Sequence, residues 1–364
     1  MDLRYGMNPQ QAARAEAITG PAPVAVLNGR PSYINMLDAL HGWQLVQEAD
    51  RLLGRPAAAS FKHVSPAGVA LSGRLDDVTA GPYGLRGSDV GPLTSAYLRA
   101  RDADPKSSYG DFVAVSRPVD AELAAALTGL VCDGIVAPGY EAGTVGVLSG
   151  KQQGRFLVLE ADAAFVPPRW ETREVFGLRL TQERDPVELS AAVLRAVDGV
   201  ALPAAARDDL LLGLAVLRYT QSNSVCYVRD GQTLGIGAGQ QSRVDCTRLA
   251  GAKAGTWWLR RHPAVRSLPF AAGTRPQDRI ARQLAYIDNE LGDDERRRWL
   301  GRLSGVAFAS DGALPFRDNV DRAAEHGVGS IAEPGGSIRS AEVEQACREH
   351  GIALVRTGVR LFHH

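Results

Sequence analysis

Cysteine is scarce in this chain of 364 residues, which contains only four. Cys132, Cys226, Cys246 and Cys347 are far apart and none belongs to a C-x-x-C pair, so a zinc ribbon is excluded and a disulfide framework is disfavoured. Such cysteine usage is typical of a reducing compartment, and we expect a cytoplasmic location. An apolar signal segment and a run long enough for a membrane helix are also lacking, so we expect no membrane association.

An excess of charge of either sign is absent as well, because Lys+Arg 41 balances Asp+Glu 41. This balance gives no global electrostatic basis for binding nucleic acid. Hydrophobic residues make up 45% of the chain and charged residues 23%, which is ordinary for a globular protein. The length exceeds that of one minimal core and therefore predicts two subdomains.

Strand-like and helix-like patterns alternate along the whole chain, which predicts the α/β class. Residues 36–53 are predicted to form a helix capped by Asn35, and a further helix is predicted at 187–197. A segment of little periodicity at 161–184 indicates a boundary. The predicted domains are therefore 1–165 and 166–364, the second with a helical insertion at about 251–305.

A lysine and a histidine stand side by side where a buried strand is predicted to end. The apolar run at 57–61 predicts the strand, which delivers Lys62 and His63 to a loop, and Pro66 and Gly68 are expected to end it. A histidine can move a proton near neutral pH, and a lysine can stabilise developing negative charge. Without further context, such a pair is typical of a solvated lysine and a structural histidine.

Several stretches resemble one family, in the order in which that family has them. The family is 5-aminoimidazole-4-carboxamide ribonucleotide (AICAR) formyltransferase, the C-terminal domain of a bifunctional purine-biosynthesis protein. The matching stretches are Leu3–Gln10, Ser60–Gly68, Tyr219–Val225, Gly235–Arg243, Pro315–Asn319 and Arg360–His364. The resemblance covers essentially the whole chain, which we expect to stand alone without the family's IMP cyclohydrolase domain.

The resemblance implies an activity, a fold and a catalytic pair. A formyl group would pass from 10-formyltetrahydrofolate, a co-substrate, to the 5-amino group of AICAR, giving FAICAR. Lys62 and His63 match the catalytic positions, with His63 as the base and Lys62 stabilising the oxyanion. The implied fold has two cytidine-deaminase-like α/β/α subdomains. The deaminase zinc signature, H-x-E with P-C-x-x-C, is absent, so neither zinc nor deamination is expected.

The resemblance also assigns ligand contacts and a homodimer whose sites lie at the subunit interface. Matches to the nucleotide contacts are Arg4, Tyr5, Gly110, Asp133, Asn223, Arg243 and Arg360. Matches to the folate contacts are Lys106, Val244, Pro315, Phe316, Asp318, Asn319 and Ser337. The family binds potassium, and matches to those positions are Leu217, Thr220, Ser222, Ser224, Asp311, Leu361 and His363.

Two positions depart from the family pattern, so more than one substrate is compatible with the sequence. Gln10 replaces a histidine, and Ala313 replaces a phenylalanine that packs at the substrate in relatives. One interpretation is a purine-pathway formyltransferase. A second is a diverged paralogue that formylates an AICAR-like nucleotide, such as an aminopyrazole carboxamide C-nucleotide. A third is a non-catalytic nucleotide- or folate-binding protein.

Overall fold

Strands and helices alternate in the computed structural model, which describes residues 1–86 and 89–364. The α/β class predicted from the sequence is confirmed. The strands are β1 Val24–Asn28, β2 Ala57–Lys62, β3 Ser65–Leu71, β4 Asp111–Val115, β5 Cys132–Ala137, β6 Leu157–Ala161, β7 Trp170–Val175, β8 Leu178–Glu183, β9 Arg195–Ala196, β10 Val225–Arg229, β11 Gln232–Gly237, β12 Val306–Ser310, β13 Val328–Glu333 and β14 Ala353–Arg356.

Helices connect most of these strands. They are α1 Tyr33–Leu53, α2 Asp77–Ala80, α3 Pro92–Ala103, α4 Ala121–Thr128, α5 Thr144–Ser149, α6 Ala204–Arg218, α7 Arg243–Leu259, α8 Pro263–Arg266, α9 Pro276–Asn289, α10 Asp293–Leu300, α11 Asp318–Ala324 and α12 Ser340–His350. Within the described residues, none of the helices combines the length and the apolar character needed to span a bilayer.

Twelve of the described strands form one mixed sheet in the order β1-β6-β5-β4-β2-β3-β11-β10-β12-β13-β14-β9. The strands of residues 24–161 lie on one side of the β3–β11 pairing, and those of residues 195–356 lie on the other. Outward from that pairing, each side has a hairpin, three parallel strands and an antiparallel edge strand. The two halves of the sheet therefore have the same arrangement of strands. The domain boundary at residue 165 falls between the two sets and stays a prediction.

The repeat extends to the helices, because α1 and α6 each run from the edge strand to the hairpin of their half. Two glycines set their register. A β-carbon built on Gly42 would lie 2.9 Å from the side chain of Ala114 in β4. One built on Gly213 would lie 2.9 Å from the side chain of Ala309 in β12. Gly42 and Gly213 are thus equivalent positions at which a helix closely approaches the sheet.

The helices cover both faces of the sheet. Residues of α1 and α6 share one apolar core that crosses both halves. On the opposite face, α3 and α4 cover the first half, whereas α7, α11 and α12 cover the second. Burial on both faces explains why strands such as β4 and β12 each contain four consecutive apolar residues instead of alternating apolar and polar ones.

The predicted cap of α1 is wrong by one turn. The cap is Ser32, whose hydroxyl accepts a hydrogen bond from the Asn35 amide at 3.3 Å. The Asn35 side chain accepts one in return from the Ser32 amide at 3.0 Å. Asn35 is therefore the third helical residue of a reciprocal capping box. The C-terminal end is as predicted, with Gly54 in a left-handed conformation.

The helix predicted at 187–197 is also wrong. This segment contains a 3₁₀ turn at Ala191–Val193 and the edge strand β9, and a second 3₁₀ turn begins at Val197. β9 pairs with β14, so the backbone hydrogen bonds that a helix would make internally are made to the sheet instead. Tertiary pairing has overridden the local helical pattern.

A separate hairpin, β7–β8, stands outside the main sheet in the segment of little periodicity. Its apolar side chains are exposed, including Trp170, Leu178 and Leu180. Phe176, at the turn, is 103% exposed. A two-stranded hairpin is marginally stable in water without packing partners, so this exposed apolar hairpin is typical of an interaction surface.

Candidate active site

The first group of predicted site residues lies at one edge of the sheet. β2 ends there at Lys62, and its antiparallel neighbour β4 begins there. Since β5 runs parallel to β4, its N-terminal residues reach the same edge. We call the residues gathered here the lysine cluster: Arg4, Tyr5, Lys62, His63, Gly110 and Asp133.

Lys62 and His63 lie at the strand end, as predicted, but a tight turn follows instead of a loop. β3 begins at Ser65, so the expectation that Pro66 and Gly68 end the strand is wrong. Pro66 is tolerated because it lies beside a bulge between Ser60 and Phe61, where a missing backbone donor does little harm. The result is a two-residue turn that presents His63 to solvent.

The Lys62 ammonium is held against the loop before β4. Its Nζ donates hydrogen bonds to the Gly110 carbonyl at 2.6 Å and to the Tyr109 carbonyl at 3.3 Å. A β-carbon at Gly110 would lie 3.1 Å from Nζ, and the residue has a φ of 74°. Both facts favour glycine at this position. The lysine is thereby fixed at the sheet edge beside the exposed histidine.

Asp133 gives this edge a negative charge among several positive ones. Partial burial raises the pKa of its carboxyl group, whereas the nearby Lys62, Arg4 and Lys151 act to lower it. Arg4 also donates a hydrogen bond to the Tyr5 hydroxyl at 2.7 Å. The lysine cluster therefore combines a proton carrier, two cations and a carboxylate.

Lys106 lies next to the lysine cluster, in the turn that leads to Gly110. Its exposed side chain, together with Tyr109, lines a cavity of about 500 Å³. Apolar residues of α9, including Ile280 and Leu284, line another side of the cavity. The cavity thus combines apolar walls with a cation at its rim, beside the catalytic candidates.

The second group of site residues is built around a buried ion pair between Asp311 and Arg243. Asp311 follows β12 and is fully buried, and Arg243 begins α7 and is 7% exposed. The Asp311 carboxylate also accepts hydrogen bonds from the Ser222 hydroxyl at 2.5 Å and the Ser224 amide at 3.0 Å. Arg243 donates to the Asn223 side-chain oxygen at 2.8 Å. We call these five residues the arginine cluster.

Three hydrogen bonds fix the direction of the Asn223 side-chain amide. Its nitrogen donates to the Gln240 and Gln241 carbonyls, each at 3.0 Å, while its oxygen accepts from Arg243. The Ser222–Asn223 peptide bond is cis. The amide group of Asn223 is thus oriented by the protein before any ligand binds.

Aromatic and cationic residues surround the arginine cluster. The Phe362 ring lies 4.6 Å from the Arg360 guanidinium carbon and 6.0 Å from that of Arg243. Phe316, which is 47% exposed, carries Arg339 over its ring at 5.1 Å. Three guanidinium groups beside two exposed rings are suited to a ligand that has both an anionic group and a flat ring.

The predicted folate contacts lie along the same side of the second half. Asn319 is buried, and its side-chain oxygen accepts a hydrogen bond from the Thr247 hydroxyl of α7 at 3.3 Å. Its side-chain nitrogen donates to the Asp318 carboxylate at 2.8 Å. Val244 follows Arg243 in α7, and Pro315 lies in the loop before α11. Ser337 accepts from the Arg339 amide at 3.2 Å, in the loop before α12.

Asp311 and the six other positions matched to potassium contacts are gathered in one place. The Leu361 amide donates to the Asp311 carbonyl at 2.8 Å, and the Ser222 amide donates to the His363 carbonyl at 2.9 Å. The Ser224 hydroxyl donates to Asp311 at 3.0 Å, and the Thr220 amide donates to the Leu217 carbonyl at 3.1 Å. Hydroxyl, carbonyl and carboxylate oxygens are the donors that a hard monovalent cation prefers, so the donor set fits potassium.

Both clusters lie at the same edge of the sheet. Three successive antiparallel pairings separate β2 from β10, so β10 begins at the edge where β2 ends. Three strand spacings place those ends roughly 14 Å apart. Among residues 1–86 and 89–364, neither a hydrogen bond nor an ion pair joins the lysine cluster to the arginine cluster. One chain therefore presents two neighbouring part-sites.

Comparison with known proteins identifies the family to which the chain belongs. A model of the AICARFT/IMPCHase bienzyme family matches residues 1–253 of the chain. The chain belongs to this family. Among similar proteins, the bifunctional purine biosynthesis protein PurH of Magnetococcus marinus is 33% identical over 370 residues, covering 100% of this chain and 59% of the relative.

Two further relatives carry the same name. PurH of Roseobacter denitrificans is 33% identical over 367 residues, covering 100% of this chain and 59% of its own length. PurH of Acidithiobacillus ferrooxidans is 35% identical over 368 residues, covering 100% of this chain and 58% of its own length. The chain thus spans somewhat more than half the length of the curated relatives it matches.

One residue beside the lysine cluster was not among the predicted site residues. Asp38 of α1 is 6% exposed, and its Oδ1 accepts a hydrogen bond from the Val64 amide at 2.7 Å. A sequence signal for it exists, since Asp-x-x-x-Gly occurs both at Asp38–Gly42 and at Asp209–Gly213. Only an alignment of the two halves reveals that repeat.

Proposed function

We propose that this chain transfers a formyl group from 10-formyltetrahydrofolate to the 5-amino group of AICAR. The observation that carries the proposal is the lysine cluster, in which an immobilised Lys62 ammonium lies beside the exposed His63 in a member of the AICARFT/IMPCHase bienzyme family. The arginine cluster supports it with an oriented carboxamide and a guanidinium, groups that complement the carboxamide of the nucleotide.

The proposed chemistry begins with attack of the amine nitrogen on the formyl carbon. A new C–N bond forms, and His63 takes the proton that the amine loses. Lys62 stabilises the oxyanion of the tetrahedral intermediate. The intermediate then collapses, breaking the bond between the formyl carbon and N10 of the folate, and that nitrogen takes up a proton. The products are FAICAR and tetrahydrofolate.

The remaining residues are proposed to bind and orient the two substrates. Arg4 and Arg360 would bind the nucleotide phosphate, because the planar guanidinium pairs well with a phosphate dianion. Asp133, Gly110 and Tyr5 would complete the nucleotide side. The residues proposed for the folate side are Lys106, Val244, Pro315, Phe316, Asp318, Asn319 and Ser337. Potassium beside Asp311 would have a structural role, by holding the Thr220–Ser224 loop. We retain the cytoplasmic location as a prediction from cysteine usage.

A formyl-transfer assay with purified protein tests the proposal. We expect absorbance-monitored turnover with 10-formyltetrahydrofolate and AICAR, and none when either substrate is omitted. Binding of AICAR without turnover, in the presence of saturating formyl-folate, would instead indicate a nucleotide-binding protein without catalytic function.

Ala313 favours a second candidate substrate. The adjacent Gly312 leaves no room for a side chain, since a β-carbon there would lie 2.5 Å from the Arg243 guanidinium and 2.7 Å from the Phe362 ring. Ala313 therefore lies one residue from the arginine cluster, where the family has an aromatic wall. An aminopyrazole carboxamide C-nucleotide should be assayed alongside AICAR, and a higher kcat/KM for it would identify a paralogue with changed specificity.

We also propose a homodimer in which the β7–β8 hairpin contacts the second copy. The hairpin exposes Trp170, Phe176 and Leu178 and is attached to its own chain near the C-terminus, where Arg173 donates to the His364 carbonyl at 3.1 Å. That attachment lies close to His363 and the arginine cluster. A dimer formed here would bring residues of a second chain near the two part-sites.

Charged substitutions in the hairpin are expected to prevent dimerisation. The double variant Phe176→Asp/Leu178→Asp places carboxylates in a surface that would be desolvated by a partner. Sedimentation should give about twice the 38.8 kDa chain mass for the natural sequence and the chain mass for the variant. As a control, Glu174→Asp should stay dimeric. A natural chain that sediments as a monomer at micromolar concentration would contradict the proposal.

A further inference from the structure

The two halves of the fold contain equivalent hairpin turns with different residues. His63 and Val64 connect β2 to β3, and Asp230 and Gly231 connect β10 to β11. The φ angles are 54° and 63° in the first turn and 55° and 71° in the second. A two-residue hairpin turn with positive φ at both positions strongly favours Asp-Gly or Asn-Gly. Only the second turn has such residues.

The first turn is therefore strained by its own sequence. A β-branched residue such as Val64 is rarely found at positive φ, because its side chain crowds the backbone. Strain of this kind persists where surrounding structure enforces it, and it concentrates at functional sites. Here the strained residues directly follow Lys62 and include His63.

A buried carboxylate from the preceding helix holds each turn. In the second half, Asp209 accepts hydrogen bonds from the Asp230 amide at 2.9 Å and the Gly231 amide at 2.6 Å. In the first half, Asp38 accepts one from the Val64 amide at 2.7 Å. Both aspartates stand four residues before the equivalent glycines of α1 and α6. In both halves, an aspartate of the helix thus accepts a hydrogen bond from a backbone amide of the turn.

The surroundings of the two carboxylates differ in charge. Asp38 faces Lys62, Asp133 and Asp111, all at the edge that carries the lysine cluster. Burial raises the pKa of Asp38 to about 6, while the Val64 amide and Lys62 act to lower it. Asp209 instead faces Asp230 and Arg99, and burial likewise raises its pKa to about 6. The second turn is therefore an internal control that lacks the catalytic pair.

We infer that Asp38 is a positioning residue for formyl transfer. Its carboxylate holds the His63-Val64 turn in a left-handed conformation that the sequence alone disfavours, and thereby fixes Lys62 and His63 relative to the nucleotide. The inference rests on the proposed function. It assigns to Asp38 a role that acts through the turn and requires no contact with substrate.

Matched alanine variants test this role. Asp38→Ala should lower kcat on the order of 10²-fold, because a displaced catalytic group loses the geometry of attack. The KM for AICAR should change less than kcat, since Arg4 and Arg243 are untouched. Asp209→Ala removes the equivalent contact in the other half and should leave kcat per folded molecule unchanged. Equal kcat values for the two variants, each corrected for the folded fraction, would overturn the inference.

Two further variants separate positioning from folding. Asp38→Asn keeps an oxygen that can accept from the Val64 amide, so its kcat should stay within about threefold of the natural chain, well above the loss on the order of 10²-fold for a displaced group. Val64→Gly relieves the strain, and combined with Asp38→Ala it should restore much of the lost rate. Failure of both rescues would contradict the role even if Asp38→Ala folds poorly.

Nuclear magnetic resonance gives a readout that does not depend on turnover. Asp38→Ala should move the His63 ring resonances and speed exchange of the Val64 amide, whereas Asp209→Ala should change only the Asp230–Gly231 region. If the natural chain transfers no formyl group, the proposed function fails, and these resonances still decide whether Asp38 positions His63. Unmoved His63 resonances in Asp38→Ala would overturn the inference.

Discussion

Replacing His63 with alanine is expected to lower kcat for the proposed formyl transfer by roughly 10²- to 10⁴-fold, the usual contribution of a general base. The 5-amino group of AICAR is a weak nucleophile, because its lone pair is delocalised into the ring, so attack depends on simultaneous proton removal. His63 is exposed and makes no contribution to the buried core. The unfolding midpoint in urea should therefore change little, and the loss should appear in initial-rate measurements at saturating folate.

His350 provides the matched control for this experiment. This exposed histidine ends α12 and is remote from the lysine cluster, and its ring nitrogen lies 2.8 Å from the Asp321 carboxylate. His350→Ala should retain the natural kcat. A His63→Ala enzyme with near-natural turnover would show that another group removes the proton, and the mechanism would then have to be reassigned.

Asp311→Ala is expected to lower the free energy of unfolding by about 3–5 kcal/mol, the usual loss when one partner of a buried ion pair is removed. Arg243 would be left charged and buried, and the Ser222 and Ser224 hydroxyls would lose their acceptor. Urea unfolding followed by circular dichroism measures the change. Binding of AICAR should weaken too, because Arg243 orients Asn223.

An exposed ion pair is the appropriate comparison for Asp311. Arg275 and Asp278 lie 2.9 Å apart with side chains that are 71% and 49% exposed. Asp278→Ala should cost less than about 1 kcal/mol, since water screens such pairs. The double variant Asp311→Ala/Arg243→Met should recover part of the stability lost by Asp311→Ala. Equal losses for Asp311→Ala and Asp278→Ala would show that the buried pair contributes no more than a surface one.

Local patterns were sufficient to predict much of the fold. The apolar run before Lys62 predicts β2, because a strand buried on both faces needs apolar residues throughout. The segment at 187–197 was misassigned because pairing with β14 is a tertiary interaction that its own sequence does not report. The tight turn after His63 is not predicted for a similar reason, since the bulge that accommodates Pro66 forms only when β3 pairs with β2.

The candidate site could be predicted residue by residue but not as an arrangement. Resemblance to a family implies Lys62, His63, Asn223 and Arg243 and a site at a subunit interface, yet it does not show which of these residues lie together at the sheet edge. Asp38 is not predicted because an aspartate within a helix carries no chemical signature of its own. The role of Asp38 is recognised by comparison with Asp209, and the equivalence of the two residues is seen only when the two halves are superimposed.

The single pairing between β3 and β11 has a consequence for how the chain acquires its structure. Every other pairing in the twelve-stranded sheet of the described residues joins strands of the same half. During synthesis on the ribosome, the first six strands can therefore complete their sheet before the second six have emerged. We expect the first half to present β3 as an open edge at that stage, and the arrival of β11 to protect it from pairing with other nascent chains.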